Sequence, residues 1–307
     1  LVWEEVTCKS ALNRVNAPSM PFRWSLNPYR GCSHACVYCY SRSYHPWLER
    51  DPGWEFDTRI LVKVNIARVL RQELARPGWK REKVAIGTAV DPYQPVEGRY
   101  KLTRHCLQAL LDYDTPASIT TKNTMVWRDV DLLKQLAQGP GCLVNVSITT
   151  LDPELADRIE PGTSPPLRRL EIMQRLGEAG IPPGVMLAPI LPGITDDPKH
   201  LQAIVQAAAD HKAAFLYPGV LRLEGACAAI FRAFLTNQHP ELVPRYDQLY
   251  DRRTTPPARY QERLEEQIAF WSRRFGIGTS PEAQRALQHY PRRFTVESPR
   301  QLALSFV

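Results

Sequence analysis

Beyond residue 84 the chain keeps a regular beat of short apolar runs and longer amphipathic stretches. Residues 84–88, 117–121, 143–148 and 184–189 are compact apolar runs bounded by Gly, Pro and turn formers, the pattern of buried strands. Between them, residues 103–112, 129–138, 165–179 and 198–209 carry apolar positions at helical spacing. Pro165-Pro166 opens the third of these in the way a first helical turn tolerates. Residues 214–216 and 219–223 give a last strand region, followed by a helix near 226–236. Upstream, residues 22–27 alternate like a short strand until Asn27-Pro28 breaks it. Residues 58–75 read as a helix, with Thr58 as N-cap and Pro77-Gly78 as the stop.

Short apolar strands alternating with helices imply parallel pairing, because a parallel neighbour needs a crossover and the crossovers cover the sheet faces. Six such units are too few for a closed eight-unit barrel. The expectation is therefore an α/β fold, an open and partial (β/α)6 TIM-like barrel with its chemistry at the C-terminal ends of the strands. Residues 1–21 read as an irregular N-terminal arm and 22–239 as the core. Residues 240–307 read as an Arg-rich extension, helical over 257–274, appended to the core rather than forming another βα unit.

Composition changes this picture little. With 44% hydrophobic and 23% charged residues in 307, the chain is globular, and disordered, collagen-like and coiled-coil classes are excluded. No apolar run approaches the roughly 18 residues of a membrane span, and Glu4, Glu5, Lys9 and Arg14 spoil a secretory signal. A cytoplasmic location is expected. The sequence opens on Leu1 rather than Met, so trimming at the N-terminus is expected too. A net charge of +7 tolerates an anionic partner without specifying one. The 27 prolines sit singly or in pairs between periodic segments, where they punctuate loops.

The cysteines carry the chemistry. Of seven, Cys8, Cys106, Cys142 and Cys227 are isolated and read as buried free thiols, whereas Cys32, Cys36 and Cys39 fall within eight residues. An odd count in a large chain argues against a disulfide framework, and clustered thiols suggest a metal site. A C-x3-C-x2-C spacing offers three corners of a [4Fe–4S] cube and leaves one iron open, unlike the four-cysteine set of an electron-transfer cluster. A Cys3His zinc site with His34 is the alternative, strained by the position of His34 between two of the cysteines. His45 and His105 have no partners at ligand spacing.

That spacing, with Tyr38 just before the third cysteine and the cluster at the end of the first strand, resembles the radical S-adenosylmethionine (SAM) superfamily. The wording around it is similar to the spore photoproduct lyase-like or "DNA repair photolyase" branch. The matching stretches are Ser25-Leu26-Asn27-Pro28-Tyr29-Arg30-Gly31-Cys32, Gly87-Thr88-Ala89-Val90-Asp91-Pro92-Tyr93-Gln94, Thr121-Lys122, Ser147-Ile148-Thr149-Thr150-Leu151-Asp152 and Ala188-Pro189-Ile190-Leu191-Pro192-Gly193. The resemblance runs over residues 18–225 and implies a partial barrel of the radical SAM type. It also implies a [4Fe–4S] cluster on Cys32, Cys36 and Cys39, with S-adenosylmethionine bound to the open iron. Reductive cleavage would then give a 5′-deoxyadenosyl radical that abstracts hydrogen from a substrate. An electron donor such as a flavodoxin or ferredoxin is implied; the substrate (DNA, RNA, peptide or small molecule) is left open.

The remaining candidates end strands. Thr88 and Asp91 close the second strand, where the resemblance implies a grip on the amino end of S-adenosylmethionine. Lys122 closes the third, Ser147 and Thr149 the fourth, Pro189 the fifth and Arg222 the sixth. By resemblance Lys122 and Ser147 touch the cofactor, Thr149 bonds its carboxylate or ribose, and Pro189 packs on adenine. One departure stands out. The lyase resemblance implies a hydrogen-donating cysteine near the end of the second strand, and residues 87–93 contain none. Tyr38, Tyr40 and Tyr93 are the alternative donors. A lyase-type repair enzyme acting on DNA through the basic surface, and a non-catalytic iron–sulfur or zinc nucleic-acid-binding module, remain as alternative readings.

Overall fold

The computed structural model describes residues 1–17 and 20–279. The expected irregular arm contains two strands, β1 (Val2–Val6) and β2 (Leu12–Arg14). They are followed by β3 (Trp24–Leu26) and β4 (Tyr29–Arg30), with the Asn27-Pro28 break between them. Helix α1 (Trp54–Thr58) leads directly into β5 (Arg59–Lys63), and α2 covers Ile66–Leu74.

The single helix expected over 58–75 is therefore a strand and a shorter helix. Ile60, Leu61 and Val62 are all buried, so consecutive side chains on both faces are covered, which suits a strand. Only from Ile66 does burial follow a helical period, through Val69, Leu70 and Leu74. Thr58 ends α1 instead of capping α2, and its hydroxyl donates to the Trp54 carbonyl at 2.6 Å. Strand β5 pairs parallel with β1 and antiparallel with β4, forming a separate three-stranded sheet. This ties the N-terminal arm to the core.

The alternation from residue 84 is found as read. Strands β6 (Val84–Ile86), β7 (Ala117–Thr121), β8 (Cys142–Ser147), β9 (Pro183–Ile190) and β10 (Phe215–Val220) follow one another across one sheet. Their crossovers contain α3 (Glu97–Tyr100), α4 (Leu102–Asp112), α5 (Val130–Gln138), α6 (Pro153–Ile159), α7 (Pro166–Glu178) and α8 (Pro198–Asp210). Strand β3 pairs parallel with β6, so the six expected parallel strands lie in chain order. Antiparallel β2 extends one edge. Among the described residues no pairing joins the two edges, and the sheet stays an open partial barrel.

After β10 come α9 (Gly225–Gln238), α10 (Val243–Leu249) and α11 (Ala258–Phe275). The helix expected over 257–274 is α11, and a two-residue strand, β11 (Gly278–Thr279), follows it. Gly276, at φ +73°, turns the chain out of α11, and β11 pairs parallel with β10 as an eighth strand. The rest of the expected extension, 280–307, lies outside the described residues. A second apolar cluster joins Tyr38, Ile159, Leu191, Leu221, Phe231 and Tyr246, so the strand ends and α9–α10 pack beneath the cysteine loop. Among the described residues no helix is long and apolar enough to cross a membrane.

Candidate active site

The cysteine loop begins immediately after β4. Gly31 has φ +77°, and a Cβ there would stand 2.9 Å from the carbonyl oxygens of Phe56 and Arg59, so glycine is needed both for the turn and for the close approach. The Cys32 amide donates to the Phe56 carbonyl at 2.8 Å. Gln94 is fully buried; its amide nitrogen donates to the Gly31 carbonyl at 3.0 Å and its oxygen accepts from the Ser33 amide at 3.1 Å. The buried Arg42 guanidinium donates twice to the Cys36 carbonyl at 3.1 Å and once to Asp57 at 2.7 Å. Outside, the end of α6 and the turn after it form a saddle: the Val37 amide donates to the Ile159 carbonyl at 3.0 Å and the Gly162 amide to the His34 carbonyl at 3.1 Å. After Cys39 the chain enters a 3-10 turn over Tyr40–Tyr44.

All three loop cysteines are free thiols, with Cys32 and Cys36 buried and Cys39 half-buried. Burial pushes the Cys32 thiol well up, and the negative charges of Asp91, Cys36 and Cys39 push the same way. Burial likewise raises Cys36, to about 12, against the pull of Lys122. The three thiols share one eight-residue loop, and their ionised forms need a cation to take up the charge. An iron–sulfur core fits this donor set. Among the described residues no three His, Cys, Asp or Glu groups converge on a single ion, a condition that a cube with one iron per thiolate does not impose. His34 does not complete a Cys3His set: its Nδ1 lies 3.4 Å from Asp91 and its Nε2 3.5 Å from the Asn123 amide. Burial lowers the His34 pKa, which keeps the ring neutral against the opposing charge of Asp91.

The second-strand turn and the end of β7 are built as one piece. Asn27 donates to the Thr88 hydroxyl at 3.2 Å and accepts from the Ala89 amide at 3.0 Å. Asp91 accepts from the Tyr93 amide at 2.9 Å, the Thr121 hydroxyl at 2.7 Å and the Lys122 amide at 2.6 Å. With both carboxylate oxygens so occupied, Asp91 positions Lys122. The half-buried Lys122 ammonium lies 5.6 Å from the Tyr38 ring centre. Burial pulls its pKa down, but the negative charges of Cys36 and Glu160 outweigh this and leave it raised.

At β8, Ser147 is buried and its carbonyl accepts from Arg169 at 2.9 Å. Thr149 meets the Tyr38 hydroxyl at 3.2 Å, and that hydroxyl donates to Glu160. Glu160 and Arg169, both about 1% exposed, were not among the sequence candidates; they pair at 2.5 Å. The sequence signals were the Glu160-Pro161-Gly162 turn and an arginine inside an otherwise apolar helical face. Pro189, half-buried after a cis peptide bond, is the last residue but one of β9. Arg222 is not drawn in: its guanidinium is 55% exposed and paired with Glu224 at 2.8 Å. Of the three tyrosines, Tyr93 is fully buried and the Tyr38 hydroxyl is engaged, while Tyr40 is 42% exposed and donates to the Thr88 carbonyl.

Known proteins share both the sequence and the architecture. An uncharacterized Mycobacterium tuberculosis protein is 45% identical over 270 residues, covering 88% of this chain and 79% of the relative. An uncharacterized Methanocaldococcus jannaschii protein is 28% identical over 192 residues, 62% of this chain and 69% of that one. A solved spore photoproduct lyase mutant with bound AdoMet and dinucleoside spore photoproduct superposes with a TM-score of 0.67 at 16% identity. The match covers 90% of this chain and 80% of the lyase, and it shows a shared fold. The sequence profile of the Radical SAM superfamily spans residues 26–204, from the end of β3 into α8, and the chain belongs to that superfamily.

Proposed function

We propose that the protein is a radical SAM enzyme. Cys32, Cys36 and Cys39 would hold a [4Fe–4S] cluster, and an external donor of flavodoxin or ferredoxin type would reduce it. When bound, that group supplies one electron to the sulfonium of S-adenosylmethionine, giving methionine and a 5′-deoxyadenosyl radical that takes hydrogen from a substrate. The observation that supports this most directly is three free thiols, two of them buried, on one braced loop at the C-terminal end of a parallel sheet.

The chain's own residues divide the work. Lys122 pairs with the carboxylate of S-adenosylmethionine, and Ser147 offers a hydroxyl beside it. Asp91 and Asn27 fix the turn around Thr88 and hold the end of β7 against it. Tyr38 and Thr149, engaged with Glu160, act on the position of the loop. Pro189 walls the adenine side. Tyr40, exposed directly after Cys39, is the best placed of the three tyrosines to return hydrogen to a product. The test is anaerobic reconstitution followed by dithionite and S-adenosylmethionine. The enzyme should form 5′-deoxyadenosine and Cys36→Ala should form none; equal yields from both would refute the assignment.

A second reading, repair chemistry on DNA, draws support from the fold shared with the lyase and from a run of exposed rings beside Cys39. Tyr40 and Tyr44 meet edge to face at 6.2 Å, and Tyr44 and Trp47 lie 5.4 Å apart, with Trp47 80% exposed. Such rings can stack on bases. Binding of single-stranded DNA that weakens steeply with salt would favour it; absence of binding at low salt would remove it.

A further inference from the structure

A buried ion pair is a poor stabilising device, because desolvating both charges costs about as much as their attraction returns. The Glu160–Arg169 pair is nevertheless buried, and almost every polar atom in it has a partner. Arg169 donates from Nε to the Ser164 carbonyl at 2.5 Å and from Nη1 to the Ser147 carbonyl at 2.9 Å. From Nη2 it donates to the Thr163 hydroxyl at 2.6 Å and to Glu160 Oε1 at 2.5 Å. Glu160 Oε2 accepts from the Tyr38 hydroxyl and from Thr149 at 3.5 Å. Ser164 in turn donates its amide to the Lys122 carbonyl at 3.3 Å. One node thus joins the end of β7, the end of β8 and the cysteine loop.

Its contact with the loop falls at a telling place. Of the two residues between Cys36 and Cys39, only Tyr38 carries a polar group, and that group is tied to Glu160 from 122 positions away. A satisfied buried network fixes one geometry where an apolar contact would permit several. Glu160 is also electrically present at the site, since its charge acts on both Cys36 and Lys122.

We infer that Glu160, held by Arg169, is a positioning residue for the cluster-binding loop: through the Tyr38 hydroxyl it sets Cys36 and Cys39 against the ends of β7 and β8, and its charge balances Arg169 beside the cluster. This rests on the assignment of Cys32, Cys36 and Cys39 as ligands. Two substitutions separate the two effects. Tyr38→Phe cuts the tie and leaves the charges alone. Glu160→Gln keeps an amide within hydrogen-bond reach of Tyr38 but removes the charge and leaves Arg169 uncompensated, which makes an anionic cluster easier to reduce.

The experiment uses reconstituted holoprotein and reads iron release to a chelator, the cluster midpoint from an EPR-monitored redox titration, and the melting temperature of the apoprotein. Tyr38→Phe should release iron at least about threefold faster than wild type, with little change in apoprotein melting. Glu160→Gln, which keeps the tie and loses the charge, should release iron more slowly than Tyr38→Phe and move the midpoint in the positive direction relative to it. If Glu160→Gln fails to fold, iron release from Tyr38→Phe decides alone. Wild-type iron release in Tyr38→Phe, or coincident midpoints in two folded variants, would overturn the inference. Cys36→Ala serves as the control: full cluster retention there would instead strike the ligand assignment.

Discussion

Gly162 offers a clean perturbation, because its constraint is one of space. The residue has no positive φ, so alanine meets no backbone strain. A Cβ at this position would lie 2.8 Å from His34 Cα and closer still to the Ser33 carbonyl oxygen. Carbon atoms rest at about 3.5–4.0 Å, so the saddle and the cysteine loop must separate by about 1 Å. Both partners are backbone and cannot swing aside as a side chain would. Overpacking of this kind costs about 1–3 kcal/mol of stability, and a misplacement of about 1 Å costs about 10²-fold in rate. Gly162→Ala should therefore reconstitute poorly and form 5′-deoxyadenosine about a hundredfold more slowly. Gly78→Ala, whose Cβ meets nothing within 4 Å, should behave as wild type. Urea unfolding of both apoproteins, iron content and a timed product assay complete the comparison. If Gly162→Ala carries a full cluster and turns over within about threefold of wild type, the cradle argument is wrong.

Other outcomes follow from the same geometry. Lys122→Met should weaken S-adenosylmethionine binding about tenfold to a hundredfold, the range of a lost hydrogen bond to a charged group, as read by ligand titration of the reconstituted protein; an unchanged Kd would clear Lys122 of the role. Asp91→Asn should weaken the same binding, and its effect should not add to that of Lys122→Met, because it acts through the Lys122 backbone. A double variant as weak as the sum of the two would contradict that route. Lys63 is buried, donates to the Asn27 carbonyl at 2.7 Å, and is pulled by burial from 10.5 to about 8. Between those values the unfolded chain holds the proton that the folded one has lost, so this group makes stability rise as pH climbs from 8 to 10.5 and lowers it as pH falls back through 8. The difference is about 3 kcal/mol, and Lys63→Met should remove it. Urea midpoints of wild type and variant apoprotein at neutral and alkaline pH give the contrast; parallel pH profiles would refute it.

Much of this molecule was readable before its coordinates. Parallel strands covered on both faces are written as dense apolar runs, so the order of the six core strands followed from local sequence. The three thiols were adjacent and spoke for themselves. Residues 58–75 misled because the apolar run in β5 continues the helical spacing of α2, and only pairing with β1 and β4 shows where the period changes. The strand β11 was hidden for the opposite reason, being too short to have a period. Within the site, sequence could name strand-end residues but not assign their partners. Asp91 was named from its place at a strand end, whereas the bonds it accepts from Thr121 and the Lys122 amide depend on the neighbouring β7. Glu160 and Arg169 were not singled out, because the partners that occupy them, Tyr38 and Ser147, are both far away in the chain. Arg222 lies two residues beyond the end of β10, exposed and paired with Glu224.

The central claim is that three cysteine sulfurs hold one iron–sulfur cube with an iron left open to S-adenosylmethionine. The most direct measurement is the EPR spectrum of the anaerobically reconstituted, dithionite-reduced protein, recorded with and without S-adenosylmethionine. The account predicts a reduced [4Fe–4S] signal whose shape changes when S-adenosylmethionine is added and which is missing from Cys36→Ala. A protein that binds zinc in place of iron, or a cluster signal indifferent to S-adenosylmethionine, would contradict it.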